Sequence, residues 1–314
     1  FSTCDSGQKL VQILECMRLG RQMPRELWDE LQKRELVEDG RDLRLDEPRF
    51  RNGHEGGFLW EVVGRLQHLR AIRDAAAAGQ RVFYAQAVDV PINSVELFSR
   101  ADAKEALQAM NMTNSGYLMG MCPLFIGMQV RLSQNFSKPL LVREVKGTIR
   151  NIQFHPMEDR HWERQPGTQD AIVLRYLPTA VIVELDDKEL KEVRFADDLA
   201  PGYVMIGPAD PVKWELKSTV DTHGSDGERK RCRKSTKLER RQIPLAPQKV
   251  NTQFGLQGVT ARQGMIAYLQ KPQIMHEGDH WLATYVLLSR ATKLDDLLIS
   301  GLPPIEFFQQ GPGG

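Results

Sequence analysis

The chain contains no Gly-Lys dipeptide, so it lacks the G-x-x-x-x-G-K-[ST] loop whose backbone amides and lysine cradle nucleotide phosphates. It has no run of eighteen apolar residues, which argues against a membrane-spanning helix. Its first residues, FSTCDSGQKLVQILECMRLG, lack the charged-then-apolar layout of a secretory signal. Cysteine is scarce. Cys4, Cys16, Cys122 and Cys232 stand apart without a C-x-x-C pair, which argues against a zinc ribbon and against a dense disulfide framework. These absences predict a soluble protein with reduced thiols in an intracellular compartment, with nucleus or mitochondrion as the working guess. Net charge is also small, +1 from 42 Lys and Arg against 41 Asp and Glu, so a polyanionic partner would have to be argued from where charge gathers. The chain opens on Phe1 instead of Met, which reads as a piece of a longer protein.

What is present is enough chain, 314 residues at 41% hydrophobic and 26% charged, for two domains or for one domain carrying an insertion. Up to about residue 110, KLVQILECMRLG and RELWDELQKREL carry apolar residues at helical spacing, with Pro24 placed to open the second helix. GFLWEVVGRLQHLRAIRDAAAAGQ predicts a long third helix ended by Gly79 in the left-handed cap, and RVFYAQAVDVP a single strand after it. From about Pro123 to Pro211 the segments LFIGMQVRLSQN, LLVREVKGTIRNIQF, AIVLRYLPTAVIVELDD and KEVRF are β-branched and broken by Gly and Pro, the pattern of a small barrel or sandwich. From about Arg240 the helical and strand patterns alternate again, with QGMIAYLQ and TYVLLSR as buried strand candidates.

Charge gathers in one place. RKRCRKSTKLERR, residues 229 to 241, sets eight basic residues against one acidic one, behind the turn-rich DTHGSDGE, which reads as a mobile loop. Such a run can track phosphates, serve as a nuclear-targeting signal or simply lie solvated.

Two short patterns tempt the eye. HEGDH, residues 276 to 280, spells H-E-x-x-H, but zinc chemistry needs both histidines on one helical face, and Gly278-Asp279 favours a surface turn. No metal site is expected from it. VIVELDD, residues 181 to 187, ends a strand in carboxylates; without a phosphate cradle, Asp186 and Asp187 read as a solvated strand end.

The order GMQVRLSQN (127 to 135), VREVKGTI (142 to 149), RRQIPLAPQKVNTQFGLQGVTA (240 to 261) and YVLLSRATKLDDLLI (285 to 299) resembles the C-terminal half of the Pif/RecD branch of superfamily 1 DNA helicases. The resemblance extends from about residue 117 to 302. It implies an α/β fold: a second RecA-like domain of the P-loop NTPase type with an inserted SH3-like β-barrel, preceded by connecting helices. The divisions would be 1 to 80 for the helical connection, 81 to 126 for the first part of the RecA-like domain, 127 to 225 for the barrel, and 226 to 314 for the remainder.

Carried onto this chain, Thr252, Gln257 and Gly258 match the family's fifth motif, and Ser289 and Arg290 match its sixth. The resemblance implies Arg290, with Gln257 and Gly258, at the γ-phosphate of ATP, and Thr252 and Ser289 at DNA; the charge of the basic run offers Arg229, Lys230, Arg231, Arg233, Lys234, Arg240 and Arg241 as further DNA contacts, and Phe254 is a candidate for stacking on a base. The nucleotide and Mg2+ would be held mainly by a first RecA-like domain absent from this chain, which alone should be inactive. Single-stranded and forked DNA and that missing domain are the implied partners, with no membrane. The family's His and Lys fall here on Phe254 and Gly255, and its small residue on Leu256, so polar contacts are lost. Phe254 would be either a stacking platform or plain core. Two rivals remain at this stage: a degenerate helicase relic that binds nucleic acid or protein without motor activity, and a metal hydrolase built on HEGDH.

Overall fold

The computed structural model describes residues 3–37, 42–92, 98–164, 171–223 and 229–311. It divides into two compact units, Phe1–Leu66 with Lys249–Gly314, and Gln67–Gln248. Elements are numbered along the chain.

The first unit is a four-stranded parallel sheet in the order β13 (Val250–Thr252), β1 (His54–Gly57), β14 (Met265–Tyr268), β15 (Leu297–Ser300). Its strands are short and buried on both faces, as parallel strands covered by helices are. The helices are α1 (Thr3–Leu19), α2 (Arg25–Gln32), the single turn α3 (Pro48–Arg51), α7 (Glu277–Leu288) and α8 (Ile305–Gln309). In α1 the spacing of Leu10, Ile13 and Met17 makes one buried stripe. That stripe joins Leu27 and Leu31 of α2, Trp281, Leu287 and Leu288 of α7, and Phe307 and Phe308 of α8 in one core. Pro24 is the N-cap of α2, a position where its missing N–H costs nothing.

The stretch expected as connecting helices therefore supplies β1, a strand paired on both sides. Its sequence, HEGG, has no β-branched residue to announce it. The absence of a Cβ lets the core close on it: one on Gly56 would lie 2.7 Å from both Leu256 Cδ1 and Leu287 Cδ2 and 2.8 Å from Met265 Cε, and those side-chain ends would have to shift. A second correction concerns TYVLLSR, which is the end of α7 and not a strand; a short apolar run carries no period that separates the two. QGMIAYLQ holds β14 as expected.

The helix α4 (Trp60–Ala77) spans the division between units, and Gly79, at φ +63°, caps it as its sequence predicts. Leu69 of this helix is 64% exposed.

The second unit holds a five-stranded antiparallel sheet in the order β12 (Leu245–Pro247), β5 (Gln129–Leu132), β6 (Lys146–Gln153), β8 (Ala180–Leu185), β9 (Tyr203–Ile206). A mixed sheet sets β2 (Val82–Gln86) between β4 (Met121–Leu124), antiparallel to it, and β7 (Ala171–Val173), parallel. A third sheet is the long hairpin β10 (Val212–His223) and β11 (Arg229–Arg241), with β3 (Val88–Pro91) on the outer edge of β11. RVFYAQAVDVP is thus two strands in two sheets, and KEVRF forms no strand. The remaining helices are α5 (Arg100–Gln108), opened by a capping box between Ser99 and Asp102, and the single turn α6 (His161–Arg164).

Among the described residues no helix is long and apolar enough to cross a membrane.

Candidate functional site

The first unit brings two of the sequence-predicted segments together. After β13 the chain turns over residues 253–258, with Leu256 fully buried as its anchor and the Leu256 N–H donating to the Thr252 carbonyl at 3.1 Å. This anchoring leaves Phe254 73% exposed, so the reading of Phe254 as core is overturned. An exposed phenylalanine fixed beside a buried leucine is a ready stacking platform. A Cβ on Gly255 would meet the Asn251 side chain at 3.2 Å, so that side chain would have to give by a few tenths of an ångström. Gln257 is exposed, and Gly258, at φ +76°, occupies backbone that favours glycine. Thr252, by contrast, is 4% exposed and in register with Gly57 inside the sheet. It offers no surface to nucleic acid, which corrects its assignment as a DNA contact.

The second segment arrives at the C-terminus of α7. Ser289 is the C-cap; its Oγ donates to the Val286 carbonyl at 2.9 Å and accepts from Arg290 Nη2 at 2.7 Å. Arg290 Nε donates to the Val286 carbonyl at 3.0 Å, and Nη1 reaches the Val259 carbonyl at 3.5 Å. The Arg290 carbonyl accepts from Ala261 N–H at 2.8 Å. Arg290 therefore follows a helix, not a strand, and it sits against the residue after Gly258. Its guanidinium is half-buried and permanently charged, satisfying the Val286 carbonyl in the last turn of α7, where a cation also meets the negative helix end.

In the second unit the basic run is strand β11, not a solvated loop. The loop DTHGSDGE falls largely outside the described residues, as do the side chains of Arg229, Lys230, Arg231 and Arg233. From residue 234 on, the two-residue period of a strand sorts the charges. Thr236, Leu238 and Arg240 are buried, whereas Lys237 and Arg241 are exposed. Lys234 shares the inward parity and reaches Asp102 of α5 at 3.3 Å. The Asp102 carboxyl is held below the usual carboxylate range by hydrogen bonds from Ser99 and Lys234, against burial that opposes its charge.

Arg240 is wholly buried. Nε and Nη2 bind the two oxygens of Asp89 at 2.9 and 2.8 Å, Nη2 also donates to the Ala106 carbonyl at 2.6 Å, and Nη1 donates to the Leu118 carbonyl at 3.2 Å. The Trp214 ring lies 4.3 Å from its guanidinium carbon and donates Nε1–H to Asp89 at 3.0 Å. Arg240 is thus a structural residue, which corrects its expected place at DNA. The alternation along the strand could have shown this, and it leaves Lys237 exposed beside Arg241.

HEGDH is not a surface loop. His276 is the N-cap of α7, and His280 lies one turn on, 4% exposed, with Nε2 at 2.9 Å from the Leu269 carbonyl and its ring edge-on to Phe58. Burial pushes the His280 pKa below its ordinary value. The turn-forming Gly278-Asp279 fits because it stands in the first helical turn, where Glu277 and Asp279 favour the positive helix end. Among the described residues no three His, Cys, Asp or Glu gather to hold a metal. Asp186 and Asp187 stand exposed past the end of β8, as expected, and Asp187 accepts from Glu189 N–H at 2.8 Å.

No protein-family model and no curated protein matches the chain. Solved structures do. A structure of two coordinating Pif1 helicases at forked duplex DNA matches 95% of this chain and 48% of its own, at 11% identity and a TM-score of 0.50. The Pif1 helicase of Candida albicans matches 97% of this chain and 55% of its own, at 15% identity and a TM-score of 0.49. Bacteroides Pif1 bound to single-stranded DNA matches 96% and 50%, at 11% identity and 0.48. The chain spans about half the length of the structures it matches. At the fold level it is mixed α/β, with parallel and antiparallel sheets arranged as in a Pif1 helicase.

Proposed function

We propose that this chain is the C-terminal portion of an ATP-dependent DNA helicase that translocates on single-stranded DNA and unwinds duplexes, forked DNA among them. The observation that carries the reading is the meeting of Arg290 with Val259, 3.5 Å from guanidinium to carbonyl, which joins the two segments that resemble the fifth and sixth helicase motifs. In this reading the first unit is the second RecA-like domain and the five-stranded sheet of the second unit is the inserted SH3-like barrel. ATP and Mg2+ belong mainly to a first RecA-like domain, and ATP hydrolysis supplies the free energy for movement. From this chain, Arg290 faces the transferring phosphate as an arginine finger, with Gln257 and Gly258 at its side. A planar, permanently charged guanidinium stabilises charge spread over phosphoryl oxygens. Phe254 stacks on a base, while Lys237, Arg241 and the outer part of β11 contribute phosphate contacts. Cys16 and Cys122 are free, in keeping with a reducing compartment such as nucleus or mitochondrion.

A second reading has its own support: a relic that binds nucleic acid without hydrolysing ATP. The family's lysine is replaced by Gly255, and three of the five donors of Arg290 are already engaged, by Val286, Val259 and Ser289. One chimera separates the two. When this chain replaces the matching half of a Pif1-type helicase, the helicase reading expects DNA-stimulated ATP hydrolysis that falls on the order of 10³-fold or more in Arg290→Ala. Binding of single-stranded DNA without any hydrolysis by the unsubstituted chimera supports the relic.

A further inference from the structure

Among the described residues only two besides glycine stand in the left-handed region, Tyr117 at φ 64° and Glu144 at φ 74°. Such backbone is uncommon outside glycine and persists where neighbours hold it, often at sites of function. One side chain ties the two together. The guanidinium carbon of Arg143 lies 3.5 Å from the centre of the Tyr117 ring, and its Nε donates to Glu144 Oε1 at 3.2 Å. The same carboxylate oxygen accepts from Arg131 Nη1 at 2.6 Å. Arg131 is 4% exposed, and its Nε is buried without a hydrogen-bond partner.

The loop 133–142 between β5 and β6 closes on this base. Phe136 N–H donates to the Leu141 carbonyl at 2.8 Å, Leu141 N–H to the Ser137 carbonyl at 2.7 Å, and Arg143 N–H to Asn135 Oδ1 at 2.9 Å. Gln134 Nε2 fastens it to the Gly116 carbonyl at 2.7 Å, next to Tyr117. A loop tied this closely nevertheless turns Phe136 (45%) and Leu140 (44%) to solvent, with Lys138 exposed between them. Arg131, Lys138 and Arg143 outweigh the single carboxylate of Glu144. An exposed ring flanked by cations, with a guanidinium fixed on a second ring, is the chemistry that takes bases by their faces and phosphates by their charge.

We propose that the loop 133–142, with the Tyr117–Arg143 stack, is a further contact for single-stranded nucleic acid, separate from the turn that bears Phe254. Phe136 stacks on a base, and Lys138 and Arg143 meet the neighbouring phosphates. The inference rests on the reading of the chain as a part of a helicase that holds single strands.

The test is fluorescence anisotropy of a labelled oligo(dT) titrated with the 314-residue chain at several salt concentrations. Phe136→Ala should weaken binding by at least about five-fold, and Phe136→Trp should keep it. Arg143→Ala should weaken binding and make the salt dependence shallower by about one phosphate. Circular dichroism reports whether Arg143→Ala keeps its fold; Phe136 is exposed, so its variants test the contact even if Arg143→Ala does not fold. Unchanged affinity in the folded variants, while Phe254→Ala is weakened, overturns the loop contact and leaves the helicase reading standing. A wild-type chain that does not bind the oligonucleotide at low salt overturns both. If instead the Phe136 variants lose affinity for a protein partner but not for oligo(dT), the loop is a protein-docking element and the inference falls.

Discussion

At the scale of single residues, charge on this chain is decided by which side of the backbone it faces. Arg240 and Arg241 are neighbours in one basic run, yet one is sealed among Asp89, Trp214 and two carbonyls while the other is exposed. Removing a single partner from such a buried pair strands the other charge. Arg240→Ala or Asp89→Ala should therefore destabilise the second unit by about 3–5 kcal/mol, measured by urea unfolding, and Arg241→Ala by under about 0.5 kcal/mol. Asp42 poses the same question with protons. Side-chain hydrogen bonds from Arg44, with backbone donors from Arg44 and Val37, lower its pKa from 3.8 to about 2 against the cost of burial. The folded form thus holds its proton less tightly than the unfolded chain. The stability it adds is complete above about pH 3.8 and is lost as pH falls toward 2. Asp42→Asn should cost about 2 kcal/mol at neutral pH and should flatten the stability profile across that acid window. Phe254 could be located from the resemblance, but only the burial of Leu256 decides that its ring points outward.

At the scale of elements, the sequence was readable where a period had room to repeat. The helices α1, α2 and α4 form where their apolar spacing predicts them, and β6 and β8 where the β-branched segments do. It was unreadable where neighbours set the structure. The strand β1 exists because Gly56 lets three apolar side chains close over it, and HEGG on its own says turn. The helix α7 begins at His276 although Gly278-Asp279 says turn, because its last two turns bury Trp281, Leu287 and Leu288. Two glycines should accordingly answer alanine in opposite directions. At Gly278 a Cβ meets nothing within 4 Å and the backbone is helical, so Gly278→Ala should raise stability by about 0.5 kcal/mol. At Gly258 the space is equally open but φ is +76°, so Gly258→Ala should lower it by about 1 kcal/mol. Thermal unfolding followed by circular dichroism reads both, and the same sign for the two would count against the assigned backbone.

At the scale of the molecule, the chain carries separate cores. The large apolar cluster around Ile13, Leu256 and Phe308 draws only on the first unit, and the one around Trp214 and Leu238 only on the second. Calorimetry should give a van't Hoff enthalpy smaller than the calorimetric one, as expected for two cooperative blocks. Gly56→Ala should move only the block that contains the parallel sheet, and Arg240→Ala only the other. A single transition displaced as a whole by either substitution would contradict this division.

The discontinuity of the first unit bears on how the protein is made. The strand β1 lies between β13 and β14, whose residues are translated roughly two hundred positions later. A ribosome releases β1 with both edges bare, then delivers the whole of the second unit before any strand arrives to pair with it. During synthesis the second unit can fold to completion while β1 waits, and bare strand edges are the groups that pair with the wrong chain. The polar, glycine-rich HEGG that hid this strand from recognition also gives it little apolar surface with which to capture one. What made β1 hard to read as a strand makes it safe to leave unpaired on a growing chain.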